Sequence, residues 1–156
     1  MSNPQNEPGG HAGPRLTPGR GTVFKQGLEL FFTKARCSEC HSGPMFSDFL
    51  FHVLGVPQEG AGKDVIPGDD TGREEHTRSP ADRYAFRTPT LRNVELTAPY
   101  MHDGSLATLD AVIRHYASGV VERPTLSRDV ARKIDLSDVE RENLIAGRLL
   151  FLQLFT

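Results

Sequence analysis

The stretch Cys37-Ser38-Glu39-Cys40-His41 decides how this chain of 156 residues is interpreted. It holds the chain's only two cysteines, with two residues between them and a histidine directly after the second. This C-x-x-C-H spacing is typical of haem c attachment, in which both thiols add to haem vinyl groups and the imidazole binds the iron. The stretch therefore predicts one covalent haem c, with Cys37 and Cys40 as anchors and His41 as an axial ligand.

Other uses of a cysteine pair fit the sequence less well. A structural zinc site needs four ligands, and the chain has no second cysteine pair. A thioredoxin-like redox pair would lie in a βαβ pattern, which the predicted elements lack. A porphyrin would also add apolar core to a chain that has 37% hydrophobic residues and no tryptophan.

A helix is predicted before the motif and two long loops after it. The helix begins near Thr17-Pro18 and places Cys37 at its end. Glycine and proline recur through residues 51–83, which predicts a surface excursion with short extended pieces at most. Residues 84–104 show no clear period and predict a structured loop rather than a strand. The apolar residues at helical spacing before the motif are Phe24, Leu28, Phe31, Phe32 and Ala35.

Two further helices are predicted from their start signals. Thr108 is the N-cap of a helix that runs to about Ala117 and is stopped by Gly119. Ser137 and Glu140 form a capping box at the start of the last helix. The buried faces of these two helices are predicted to hold Leu109, Val112, Ile113 and Tyr116, and Leu144, Ile145, Leu149 and Leu152, respectively.

Together these elements predict a mostly α, cytochrome c-like haem domain, with about three main helices and long loops around one haem. The domain covers residues 16–156. Residues 1–15 are rich in glycine, proline, asparagine and glutamine and predict a flexible tail or linker.

Charge and hydropathy exclude two classes of partner. Lys and Arg number 18 against 20 Asp and Glu, so the net charge of −2 indicates no nucleic-acid partner. No apolar run reaches the roughly 18 residues that a membrane span needs, and no secretory signal follows the first residue. Because haem c is attached outside the cytoplasm, we nevertheless expect a periplasmic protein. The sequence is then expected to be trimmed or to be part of a longer protein.

The residues alone leave the second axial ligand open. Methionine, histidine and tyrosine can all bind haem iron, and each also has an ordinary structural use. Met101 is favoured by the precedent of electron-transfer cytochromes. The candidates are Met45, His52, Met101, His102, His115 and Tyr116.

Four segments resemble one family, in the same order and spacing. They are GLELFFTKARCSECHSGPMFSD (27–48), FHVLGVP (51–57), AFRTPTLRNVELTAPYMHDGSLATLDAVIRHYASG (85–119) and LSDVERENLIA (136–146). Over about residues 16–152 the chain resembles the C-terminal haem domain of bacterial di-haem cytochrome c peroxidases and their MauG-type relatives. The TPTLRN, APYMHDG and ATL strings are specific to that family rather than to cytochromes c in general.

The resemblance implies particular iron ligands. It gives His41 as the proximal ligand and Tyr116 as the distal one, since the peroxidases have methionine and MauG-type proteins tyrosine at the latter position; Met101 remains the alternative. A phenolate would stabilise oxidised iron and lower the reduction potential, whereas a thioether favours the reduced state.

The resemblance also implies contacts at the haem edge and in the covering loop. Arg87 and Arg92 are expected near a haem propionate, which a guanidinium suits. His102 and Asp103 are expected to form a hydrogen-bonded pair that holds the loop and contacts a propionate. The backbone carbonyls of Thr97 and Pro99 are expected at an inter-domain calcium site, which needs oxygen ligands.

The chain also departs from the family. Full-length members carry two C-x-x-C-H motifs, and the peroxide-reactive haem lies in their N-terminal domain, whereas this chain has one motif. Val53 stands where relatives often have a polar residue. The resemblance therefore implies the half that relays electrons or oxidising equivalents to an external donor or protein substrate, with a second haem domain as partner and no catalytic residue assigned in this chain. The alternatives are a stand-alone monohaem electron-transfer cytochrome, and a metal or thiol regulatory module.

Overall fold

The computed structural model describes residues 19–60 and 68–153, and the side chains among them except those of Arg20 and residues 148–153. The predicted tail, residues 1–15, lies outside the described residues. The helices are α1 (Arg20–Phe32), α2 (Glu74–Thr77), α3 (Leu109–Arg114), α4 (Arg128–Ala131) and α5 (Asp138–Gln153), and the strands are β1 (Phe51–Val53) and β2 (Ala85–Arg87). Short 3₁₀ turns span Cys37–Glu39, Pro80–Asp82 and Val94–Leu96, and a π-helix spans His115–Gly119.

Helices α1 and α5 make the most extensive contact between elements. Two glycines allow it: a Cβ added to Gly27 would overlap the backbone carbonyl of Asn143, and one added to Gly147 would lie 2.9 Å from the Cα of Gly27. Beside this crossing, Lys34 and Glu140 form an ion pair at 2.8 Å. The first and last long helices therefore pack backbone against backbone.

The buried core joins α1, α3, α5 and the loops between them. Leu144 of α5 is fully buried in it. The cluster consists of Phe31, Ala35, Leu91, Val94, Leu109, Ile113, Ile134 and Leu144. Partly buried residues pack against it, among them Cys37, Phe46, Tyr100 and Tyr116. The core therefore extends from the helices to the cysteine motif.

The start signals of α3 and α5 are confirmed. The Thr108 hydroxyl accepts a hydrogen bond from the Ala111 N–H at 3.1 Å. At α5, the Ser137 N–H donates to Glu140 and the Glu140 N–H donates to the Ser137 hydroxyl, as a capping box requires. α1 begins at Arg20, and within the predicted apolar set Phe31 and Ala35 are buried while Phe32 is exposed. The predicted core positions Leu149 and Leu152 lie outside the described side chains.

Two loop predictions need correction. Residues 84–104 include strand β2, which pairs antiparallel with β1 so that Phe51 faces Arg87 and Val53 faces Ala85. Residues 51–83 are not only a surface excursion, because Val53 and Val56 are 3% and 5% exposed. Strands β1 and β2 have three residues each, which is too short for a periodic signal, and each pairs with a segment distant in sequence. No helix within residues 19–60 and 68–153 is long and apolar enough to cross a membrane.

Candidate functional site

The cysteine motif lies on one tight turn after α1. Arg36 has the left-handed backbone conformation (φ 53°), and the His41 N–H closes the turn on the Cys37 carbonyl at 2.9 Å. Cys37 and Cys40 are half-buried, and neither is in a disulfide bond. The turn therefore presents two thiols and an imidazole from five consecutive residues.

His41 is oriented by a backbone carbonyl. Its Nδ1 lies 2.9 Å from the Phe46 oxygen, and because a carbonyl only accepts, Nδ1 carries the proton in this bond. Nε2 is then the nitrogen suited to a metal. Holding the second ring nitrogen in this way fixes the tautomer and makes the imidazole a stronger ligand.

The loop after His41 is held by the segment before residue 93. The Thr90 hydroxyl donates to the Met45 carbonyl at 2.6 Å, and Arg92 Nε donates to the Pro44 carbonyl at 3.0 Å. Arg92 therefore lies against the loop that follows the cysteine motif. Arg87 is exposed, and its guanidinium stacks over Phe49 at 4.9 Å from the ring centre.

Tyr116 packs against the buried core cluster. It lies in the π-helix that continues α3, where buried Leu109 and Ile113 anchor the preceding turns. The Tyr116 side chain is half-buried and packs against the cluster that Cys37 also touches. Single π-turns inside α-helices occur frequently at functional sites. The structure thus brings Tyr116, the predicted distal ligand, and Cys37, a predicted haem anchor, to one cluster.

Met101 lies in a loop rather than on a helix. It has a left-handed backbone conformation (φ 70°) and is half-buried. Its carbonyl accepts from the Gly104 N–H at 3.3 Å, which closes the turn at the HDG residues.

The side chains at this site are of the types that can hold haem c. Two thiols outside any disulfide and an imidazole whose Nδ1 is already engaged lie on one turn, and Cys37 and the half-buried Tyr116 phenol pack against the same apolar cluster. These are the attachment and axial groups that the cofactor requires.

Cys40, Asp48 and His52 form a second arrangement that could hold a metal. One ligand atom from each lies within 4.8 Å of the others, and His52 Nε2 is 2.8 Å from the Asp48 carboxylate. Burial, and then the negative charge of Asp48, raises the pKa of the Cys40 thiol to about 11. A metal here needs the thiolate, which that pKa opposes, and thioether formation would remove it altogether. Cys40 could therefore either be attached to haem or bind a metal together with Asp48 and His52, but not both.

His102 and Asp103 have different partners among the described residues, which corrects the expected pair. His102 stacks on Phe86 with ring centres 3.8 Å apart, and its Nε2 lies 3.2 Å from the Gln58 side-chain nitrogen. Asp103 accepts hydrogen bonds from the backbone N–H groups of Gly60 (3.0 Å) and Ser105 (3.1 Å). The pair shares an electrostatic interaction, and both members fasten the loop, but at separate points.

The environment changes the pKa of both residues of this loop. Burial lowers the pKa of His102 and so favours its neutral form. Burial raises the pKa of Asp103, but hydrogen bonds from Ser105 and Gly60 outweigh it and bring that pKa below the ordinary carboxyl value. Asp103 is therefore a charged anchor in a buried position.

The remaining predicted positions lie on the surface or in the core. Thr97 and Pro99 are exposed, and the Thr97 hydroxyl donates to the Val94 carbonyl at 3.0 Å. Val53 points into the core, and its backbone N–H and carbonyl bond to Ser127. The apolar Val53 side chain makes no hydrogen bond and is 3% exposed.

Sequence reasoning missed two structural roles. Asp48 and His52 share a hydrogen bond at 2.8 Å, which their spacing of four does not predict because they lie in a loop and a strand rather than on a helix. His115 was weighed as an iron ligand, yet its ring is buried and Nε2 lies 3.0 Å from the Leu54 carbonyl. The acceptor of this hydrogen bond lies in a segment distant in sequence, so the residues next to His115 do not predict the bond.

Comparison with known proteins gives consistent relatives. No family model matches the chain. It is 40% identical over 128 residues to the methylamine utilization protein MauG of Methylorubrum extorquens, covering 81% of this chain and 33% of that protein. It is 35% identical over 144 residues to the cytochrome-c peroxidase IdrP1 of Denitromonas iodatirespirans, covering 78% of this chain and 38% of that protein.

A solved structure gives the same result. The fold matches that of a MauG-like protein associated with microbial copper homeostasis, with a TM-score of 0.65, 32% identity, and coverage of 86% of this chain and 46% of the other. The chain spans about a third of the length of the curated relatives. The chain therefore belongs to the family of MauG and the bacterial di-haem cytochrome c peroxidases.

Proposed function

We propose that this chain is the C-terminal, cytochrome c-like haem domain of a MauG- or peroxidase-type oxidoreductase. It relays electrons or oxidising equivalents between a peroxide-reactive haem in another domain and an external electron donor or protein substrate. The observation that carries the proposal is His41, held through Nδ1 by the Phe46 carbonyl and placed directly after two cysteines that form no disulfide. The coverage of about a third of each relative leaves room for a second haem domain.

The chain's own residues bind and tune the cofactor in this proposal. When bound, haem c supplies a one-electron iron couple. Cys37 and Cys40 would form the thioethers, and His41 Nε2 and the Tyr116 phenolate would bind the iron. A phenolate ligand favours oxidised iron, which suits a site that stores oxidising equivalents. Met101 is the alternative distal ligand.

Further residues support the cofactor at its edge and at the domain boundary. The proposal assigns Arg92, Arg87 and His102 to the propionate side of the haem. Arg92 is supported best, because its Nε already bonds the loop that follows His41. Calcium would be held by the carbonyls of Thr97 and Pro99, and their exposure is compatible with a site completed by another domain.

Peroxide chemistry is assigned to the partner domain rather than to this chain. The relatives are named as peroxidases and MauG, so the family is one of oxidoreductases. The proposed location is the periplasm, since covalent haem attachment takes place outside the cytoplasm.

The test is the spectrum of the protein expressed with cytochrome c maturation machinery. We expect one covalent haem by mass, a ferric spectrum of the high-spin or tyrosinate type, and reduction by dithionite but not by ascorbate. Tyr116→Phe should change the ferric spectrum, whereas Met101→Leu should not.

Three results would contradict parts of the proposal. A methionine-type low-spin spectrum that is reduced by ascorbate and lost in Met101→Leu would assign Met101 as ligand and favour a stand-alone electron-transfer cytochrome. Absence of covalent haem would overturn the haem assignment and direct attention to the Cys40, Asp48 and His52 cluster. A spectrum unchanged in Tyr116→Phe would remove the Tyr116 ligand.

A further inference from the structure

We infer that His115 is a positioning residue, whose hydrogen bond to the Leu54 carbonyl sets the place of the Tyr116 phenol. The inference rests on the proposed role of Tyr116 as an iron ligand. It adds to that role a specific tether, on a residue that does not itself touch the iron.

The His115 ring is fixed on two sides. It is 5% exposed, and Nε2 lies 3.0 Å from the Leu54 oxygen. Since a carbonyl only accepts, Nε2 carries the proton and donates. The ring also packs edge-on against the neighbouring Tyr116 ring, with centres 5.4 Å apart and an interplanar angle of 73°. A movement of the imidazole would therefore displace the phenol.

A second bond holds the other end of the same turn. The Val121 N–H donates to the Gly55 carbonyl at 2.8 Å. Gly55 has φ +60°, and a Cβ there would lie 2.5 Å from the Val121 carbonyl, so the two backbones approach closely. Residues 54 and 55 thus hold the π-helix from both sides of Tyr116. A π-helix is rare, and here both bonds come from outside the helix.

The holding segment leads back to the cysteine motif. The Asp48 N–H donates to the Cys40 carbonyl at 2.8 Å, and the Asp48 carboxylate pairs with His52. His52 lies in β1, which ends one residue before Leu54. One continuous segment, residues 40–54, therefore connects the proximal turn to the His115 tether and fixes the spacing between the two sides of the proposed haem site.

The test compares haem-loaded chains that differ only at the donor. His115→Leu fills the space without donating, and His115→Asn has a donor too short to reach the Leu54 carbonyl. His115→Gln places an N–H at about the reach of Nε2. His76→Leu is the matched control, because His76 is an exposed histidine of α2. Covalent haem content, the ferric optical and electron paramagnetic resonance spectra, and the reduction potential are measured for each.

We expect equal haem content in all variants. His115→Leu and His115→Asn should show a mixed ferric spectrum and a higher reduction potential, because a loosened phenolate stabilises oxidised iron less. His115→Gln and His76→Leu should match the parent protein. If His115→Leu does not accumulate in folded form, the comparison of His115→Asn with His115→Gln decides.

Equal spectra and potentials for His115→Asn and His115→Gln would overturn the inference. Failure of the underlying proposal has a different signature, since Tyr116→Phe would then leave the parent spectrum unchanged. A change in Tyr116→Phe together with parent-like His115→Asn would keep the Tyr116 ligand and remove the His115 tether.

Discussion

At the scale of single residues, the orientation of His41 is set by a loop that residues distant in sequence hold in place. C-x-x-C-H is a local pattern, and it identified Cys37, Cys40 and His41 as the candidate site. The bond from His41 Nδ1 to the Phe46 carbonyl depends on the path of the following loop, which Thr90 and Arg92 hold through bonds across 45 and 48 residues of sequence. No local signal carries that information.

Asp103 provides a test of a buried charge. Its carboxylate accepts two backbone hydrogen bonds while it is 4% exposed. Asp103→Asn places an amide opposite one of those donors, and we expect the free energy of unfolding at pH 7 to fall by about 1.5–3 kcal/mol. Urea denaturation of both proteins measures the difference.

The pH dependence of that difference follows from the direction of the pKa shift. Because the folded state lowers the pKa of Asp103, its contribution is present above the ordinary carboxyl pKa of about 3.9 and is lost as the pH falls through the lowered value. The difference in unfolding free energy between the parent protein and Asp103→Asn should therefore become smaller at acid pH. Asp135→Asn, at an exposed position, should show no gap; a constant gap for Asp103→Asn would contradict the assignment.

At the scale of elements, helices with capping signals were predicted and the short strands were not. Thr108, Ser137 and Glu140 act within a few residues of the helix starts that they cap. β1 and β2 are three residues each and exist through their mutual pairing. The π-helix at 115–119 has the composition of an ordinary helix end, and its hydrogen bonds to residues 54 and 55 are distant in sequence.

The Thr108 cap is expected to stabilise the helix that carries Tyr116. Thr108→Ala removes the acceptor for the Ala111 N–H and should cost about 1 kcal/mol of unfolding free energy. Thr108→Ser keeps the hydroxyl and should cost much less. Chemical denaturation of both variants checks this, and equal losses would show that the methyl group rather than the cap matters.

The contact of α1 with α5 predicts an unusual response to alanine. Alanine is favoured over glycine in a helix by about 1 kcal/mol, yet Gly27→Ala should destabilise by about 1–3 kcal/mol, since its Cβ meets the Asn143 backbone. Gly21→Ala, also in α1, meets nothing within 4 Å and should be neutral or stabilising. Thermal unfolding of the two variants distinguishes them, and equal melting temperatures would refute the close helix contact.

At the scale of the whole molecule, the sequence predicted a mostly helical domain but not how its helices meet. Periodic apolar residues identify which faces are buried, whereas the glycine-to-glycine approach of Gly27 and Gly147 is a property of two segments together. The partner of each buried face therefore had to come from the structure. The same holds for Tyr116, whose neighbourhood with Cys37 on one cluster is a tertiary feature.

Leu144 tests the common core. It is fully buried, so Leu144→Ala should reduce the free energy of unfolding by about 2–5 kcal/mol. Leu96→Ala is the matched control, because Leu96 is 79% exposed and should change stability by less than about 0.5 kcal/mol. Urea denaturation measures both, and similar losses would show that the cluster is not the main core.

The contact between α1 and α5 also has a consequence for biogenesis. Lys34 and Glu140, which flank the glycine contact, are 106 residues apart in the chain. Docking of the two helices therefore waits until α5 has been synthesised, and closing so long a loop makes it a late step. During that interval the cysteine motif is part of an incompletely folded chain, so both thiols are accessible for the proposed haem attachment before the surrounding core closes over them.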